Sequence, residues 1–157
     1  MTPPAPPSPP SALVTALTEQ ARGWRHVTLA PHSPRAVAFR LGDAVIGVLH
    51  HDGRLDVPVP PPLRTVVLEE AVAGPHPTRP DADWVSLPLQ DPDDLTAVTL
   101  LLRLPYLYRR LLRSRHPDVL RRIRLELDEY DLPSPVVGLY DTMIAKRTAP
   151  PARPPNR

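Results

Sequence analysis

The chain reads as an α+β fold: an antiparallel meander of four to five strands backed by two to three helices, with a helical C-terminal extension. Three observations predict it. Residues 44–60, AVIGVLHHDGRLDVPVP, join an apolar run to an alternating run through Asp52-Gly53, a hairpin signature. Upstream, AVAFRL meets Gly42-Asp43, a second tight reversal. Downstream, Leu100, Leu104, Leu107 and Leu111 recur at i, i+4, i+7 and i+11, the spacing of one helical face.

In chain order, residues 1–10 are proline-rich and are expected to form a disordered lead, followed by a domain over 11–115. Ser11 is the expected N-cap of a helix that places Leu13, Val14, Leu17 and Ala21 on one face and stops at Gly23. Val27 to Ala30 is a predicted strand, and PHSPR turns the chain into the two hairpins. A second helix, from Pro62 to Ala73, is expected to bury Leu63, Val66 and Val67 and to end at Gly74. The loop PHPTRPDAD precedes the strand WVSLPL, whose Val85, Leu87 and Leu89 alternate with Trp84 and Ser86. Asp91-Pro92 opens the leucine-rich helix, where Pro105 predicts a kink or a break. Residues 116–147 are read as a basic extension with helices over Asp118–Tyr130 and from Ser134 to Lys146, and 148–157 as a disordered tail.

Register follows from the turns. A two-residue Asp52-Gly53 turn sets His51 opposite Arg54, His50 opposite Leu55 and Val48 opposite Val57, and Gly42-Asp43 sets Phe39 opposite Ile46. Val37, Phe39, Ile46, Val48, Leu55, Val57 and Val59 then form the buried face, with His50 at its rim. Ala38, Arg40, Val45, Gly47, Leu49, His51, Arg54 and Asp56 form the open face.

At 157 residues the chain suits one domain with tails. It has no cysteine, which excludes disulfides, thiolate metal sites and a cysteine nucleophile. The N-terminus lacks a basic stretch before an apolar run, so no signal peptide is expected. The longest apolar run, VTLLLRLPYLY, is interrupted by Arg103 and Pro105, so no membrane span is expected and a cytoplasmic location is predicted. The net charge of +2 conceals a division: residues 1–102 carry seven Arg against eleven acids, whereas 103–157 carry eleven Arg and Lys146 against six acids. Arginine in place of lysine, with twenty-five prolines, matches the codon bias of a GC-rich bacterial genome, which accounts for much of the basic character.

Phe39-Arg40-Leu41-Gly42, Gly47-x-x-His50-x-Asp52-Gly53, Asp56-Val57-Pro58, Gly74-x-His76-x-x-x-Pro80 and Trp84-Val85-Ser86-Leu87, in that order, resemble the bacterial luciferase domain family over residues 24–114. The family is mostly uncharacterised, and its name implies no light-emitting activity. The element order also looks like the CyaY-like fold of the MmcQ/YjbR proteins, which implies a helix-backed antiparallel sheet and no function. Two departures stand out: Val48 replaces a second histidine, and Ser33-Pro34-Arg35 replaces a Gly-rich turn after His32.

The first functional expectation is a non-enzymatic module that binds a small molecule or a protein on the open face through Arg40, His51, Arg54, Asp56, Trp84 and Ser86. Its plain alternative is a solvated face with Trp84 covered by the loop Pro58–Pro62. An enzyme would use His32, His50 or His76 as the proton-handling group, but no nucleotide loop, flavin fingerprint or triad spacing accompanies them. A metal held by those histidines and Asp56 is disfavoured, because His50 and His51 point to opposite faces and Val48 removes a same-face partner. Neither metal nor cofactor is predicted. Nucleic acid is a third candidate partner, through Arg109, Arg110, Arg113, Arg121, Arg122 and Arg124, opposed by the following acids Glu126, Asp128, Glu129 and Asp131.

Overall fold

A computed structural model describes residues 9–149 together with 3, 155 and 156. Most of the expected lead and tail therefore lie outside the described residues. The described elements are α1 (Pro9–Arg22), β1 (Val27–Ser33), β2 (Ala36–Leu41), β3 (Ala44–His50), β4 (Arg54–Pro58), α2 (Pro61–Glu69), β5 (Gly74–Pro75), β6 (Trp84–Pro88), α3 (Asp94–Arg113), α4 (Pro117–Glu129) and α5 (Ser134–Thr148). The α+β class is as the sequence predicts, with six strands instead of four or five. The additional strand is β5, two residues that pair Gly74 with Ser86 and Pro75 with Val85, and it is too short to leave a periodic signal. The chain divides into two compact units, residues up to Tyr106 and residues from Leu107.

The first unit holds one antiparallel sheet in the order β1-β2-β3-β4-β6-β5. On one face Phe39, Leu49, Leu55, Val57 and Val85 are buried, as are Leu13 and Leu17 of α1, Leu63 and Val67 of α2, and Leu101 and Leu102 of α3. A Cβ on Gly47 would meet Leu102 Cδ1 at 2.5 Å, so a larger residue there would have to push that side chain of α3 aside. Tyr106 at the end of this unit donates its hydroxyl to the Arg25 carbonyl at 3.0 Å. Its ring lies 5.3 Å from that of Trp24, and the Arg103 guanidinium sits over both rings.

Register departs from the sequence expectation at both hairpins. The β3–β4 loop has three residues, His51, Asp52 and Gly53, so His50 pairs with Arg54, Leu49 with Leu55 and Val48 with Asp56. Gly53 takes φ 94°, and its N–H donates to the His50 carbonyl, which makes it the left-handed third loop residue and not the second residue of a two-residue turn. The Gly42-Asp43 reversal keeps Leu41 opposite Ala44, but a bulge follows and pairs Phe39 with Gly47 in place of Ile46. Together these shifts exchange side chains between faces. Gly47 and Leu49 turn to the helix-backed side, while Val48 and His50 join the other.

Helix ends differ where local chemistry outweighs composition. Helix α1 already includes Pro9, consistent with proline's tolerance of a first turn, so Ser11 lies inside it. Helix α2 stops well before Gly74: Ala71 adopts φ 54°, its N–H reaches the Leu68 carbonyl, and the Val72 N–H reaches the Val67 carbonyl. That pair of bonds is a Schellman cap with alanine at the left-handed position. Helix α3 starts at Asp94, whose carboxylate accepts from the Gln90 and Asp91 N–H groups, and it runs through Pro105 without a break.

In the second unit Leu120, Ile123 and Leu127 of α4 and Val136 and Tyr140 of α5 are buried. His116 caps α4 by accepting the Asp118 N–H on Nδ1, and the rings of Tyr108 and Tyr140 meet edge to face.

Candidate functional site

The sheet face away from the helices is built on a row that crosses five strands: Ala38, Val48, Asp56, Ser86 and Gly74. The neighbouring row is Ala36, His50, Arg54 and Pro88. Period two in β4 and β6 is enough to place Arg54, Asp56, Trp84 and Ser86 here, as expected. This face is less open than the sequence implies. Ala36, Ala38 and Val48 form a small buried cluster, and half-buried Trp84 and Val45 pack against it.

Asp56 is the centre of the polar half. Its side chain is only 4% exposed, yet it is surrounded by donors. Oδ1 accepts from Arg54 Nε at 3.0 Å and from the Ser86 hydroxyl, whereas Oδ2 lies 2.7 Å from His50 Nε2 and 3.1 Å from Arg54 Nη2. His76 Nε2 stands 3.4 Å from the same oxygen. Burial would raise the Asp56 pKa, but the hydrogen bonds from Ser86, Arg54 and His50, with the Arg54 charge, outweigh it and hold the carboxyl below its ordinary 3.8.

A cavity of about 350 Å³ opens beside this carboxylate. Val48, His50, Arg54, Asp56 and Trp84 line it from the sheet. His76, Thr78 and Arg79 close it from the β5–β6 loop, and His32 from β1. The loop is tied down by the Val59 N–H on the Asp83 carbonyl and by Arg64 on the Pro80 carbonyl. His32 is the unpaired residue of a bulge between Pro31 and Ser33, a device that re-aims a side chain.

The three expected histidines, His32, His50 and His76, thus converge on one cavity with Arg54, Asp56 and Trp84, and Ser86 supports Asp56 from below. Arg40 and His51 are not among its lining residues. Arg40 binds the Asp43 carbonyl in the β2–β3 turn, and His51 is exposed in the three-residue loop. Thr78 and Arg79 carried no periodic signal, since a loop across a sheet face leaves none. A second cavity of about 420 Å³ lies beyond Arg54 and Ser86, bounded by Gly53, Pro75, Pro77 and Gln90.

Among the described residues no group of three or more His, Asp or Glu side chains is arranged to hold a metal ion. No described helix is long and apolar enough to cross a membrane. On the basic helices, Arg121 pairs with Asp118, and Arg124 with Asp128 and Asp141; Arg109 is half-buried and Arg122 exposed.

The fold and site define a helix-backed antiparallel sheet with a histidine- and arginine-lined cavity on its other face. Residues 43–104 match the family described as Luciferase domain, from β3 to the first half of α3. The match takes in every lining residue of the cavity except His32. No curated protein and no solved structure matches the chain.

Proposed function

We propose that the protein is a non-enzymatic binding module that takes a small molecule on the non-helical sheet face, in the cavity between Asp56, Trp84 and the β5–β6 loop. The observation that carries this reading is the convergence of His32, His50, His76, Arg54 and Arg79 with an aromatic wall around one buried carboxylate. A cavity with apolar walls and a few aimed polar groups is the usual form of a small-ligand site. Ligand-observed NMR against a library of small planar compounds should yield hits that disappear in the double variant His32→Ala/Arg79→Ala. Both positions are exposed, so the melting temperature should not move. A library without one variant-sensitive hit would reject the reading.

One contact favours a second reading. His50 lies 2.7 Å from Asp56, the distance at which a carboxylate orients an imidazole as a general base. Turnover of any compound bound in the cavity, abolished in His50→Gln, would replace the binding module with an enzyme.

A further inference from the structure

We infer that the ligand of this cavity is a small planar organic anion, an inference that rests on the binding reading. A carboxylate offers about four lone-pair directions. Ser86 Oγ, Arg54 Nε, Arg54 Nη2 and His50 Nε2 approach Asp56 within bonding distance, and His76 Nε2 stands farther off. At 2.7 Å from a carboxylate oxygen His50 Nε2 carries its proton, so Arg54 Nη2, 3.1 Å from that nitrogen, finds no acceptor there. Donors therefore exceed the acceptor sites, and the site is short of an oxygen.

His76 is the donor left over. Its Nδ1 accepts the backbone N–H groups of Thr78 at 3.3 Å and Arg79 at 3.2 Å, which places its proton on Nε2. That N–H stands 3.4 Å from Asp56 Oδ2, beyond the roughly 2.7–3.2 Å of a well-formed N–H···O bond. An oxygen in the cavity would receive it. Charge points the same way, because Arg54 alone balances Asp56, and Arg79 brings a second guanidinium to a wall whose only lining acid is Asp56. A cation is disfavoured by the same geometry, since donors already occupy both carboxylate oxygens. Trp84 and Val48 form the apolar side against which a flat group can lie.

The test uses the full chain carrying Trp24→Phe, so that emission reports Trp84 alone. Benzoate and 2-naphthoate are titrated against benzamide and 2-naphthamide, with inorganic phosphate as a separate arm. The carboxylates should change Trp84 emission at concentrations about tenfold below their amides, the preference expected when charge-assisted bonds replace neutral ones. Arg79→Gln and His76→Phe should each weaken the carboxylates more than the amides and so narrow that preference. Equal binding of carboxylates and amides would overturn the anion inference and leave the binding module standing. Phosphate binding as tight as naphthoate would overturn the planar part. Silence from every probe while the NMR library gives cavity hits would sink the inference alone, and silence from both would sink it with the function proposed above.

Discussion

Asp56 shows how one buried carboxyl links the stability of the sheet to proton concentration. Its pKa is depressed in the folded state, so its contribution is complete above the ordinary 3.8 and is lost as pH falls through the depressed folded value. Urea unfolding of Asp56→Asn should show a destabilisation of about 2–3 kcal/mol near neutrality, since Arg54 loses its partner, and a flatter decline than the parent below pH ~4. Parallel pH curves for the two proteins would remove Asp56 from that role. Ser86→Ala should cost about 1 kcal/mol, because one donor on a buried acceptor is lost while others remain. At this scale the sequence was partly transparent. Arg54, Asp56, Trp84 and Ser86 follow from alternation within single strands, which no register error disturbs. His50 does not, since its face depends on whether Gly53 is the second or the third loop residue. His32 and His76 reach the cavity through a bulge and a loop, neither of which has a period to read.

At the scale of elements, two backbone positions carry strain or crowding that composition hides. Ala71 caps α2 in the left-handed region, a conformation that costs a residue with a Cβ about 1 kcal/mol. Ala71→Gly should therefore raise stability by about 0.5–1 kcal/mol, read as a higher melting temperature, and a drop would mean that the alanine methyl makes a contact worth more than the strain. Gly47→Ala should do the opposite, losing about 1–3 kcal/mol as the new methyl drives Leu102 from its place between strand and helix. All five helices were legible, α1 to α4 from leucine and valine spacing, and α2, α3 and α5 from proline near their starts; the prolines that open α1 and α4 were not read as starts. Their ends were less so: Gly74 has the right residue type for a stop, but the hydrogen bonds that end α2 are already made at Ala71 and Val72.

For the molecule as a whole, the order β1-β2-β3-β4 is a plain meander of neighbours, and the sheet is completed when β6 returns to β4 across α2 and β5. Local hairpins should form early and the longer closure late. Val85→Ala, at the buried β4–β6 seam, should cost about 2 kcal/mol and appear mainly as faster unfolding, whereas a matching loss in folding rate would place the seam in the nucleus. In the second unit Arg124 ties α4 to α5 through Asp141, and Arg147 covers the Leu112 and Ser114 carbonyls at the end of α3. The two outer strands of the sheet have one more consequence. A growing fibre needs a long row of unanswered backbone groups to copy. Here β5 offers two residues, and β1 interrupts its row with a proline that has no N–H and with the kink at His32. The bend that brings an imidazole to the cavity also spoils that side of the sheet as a template for other chains.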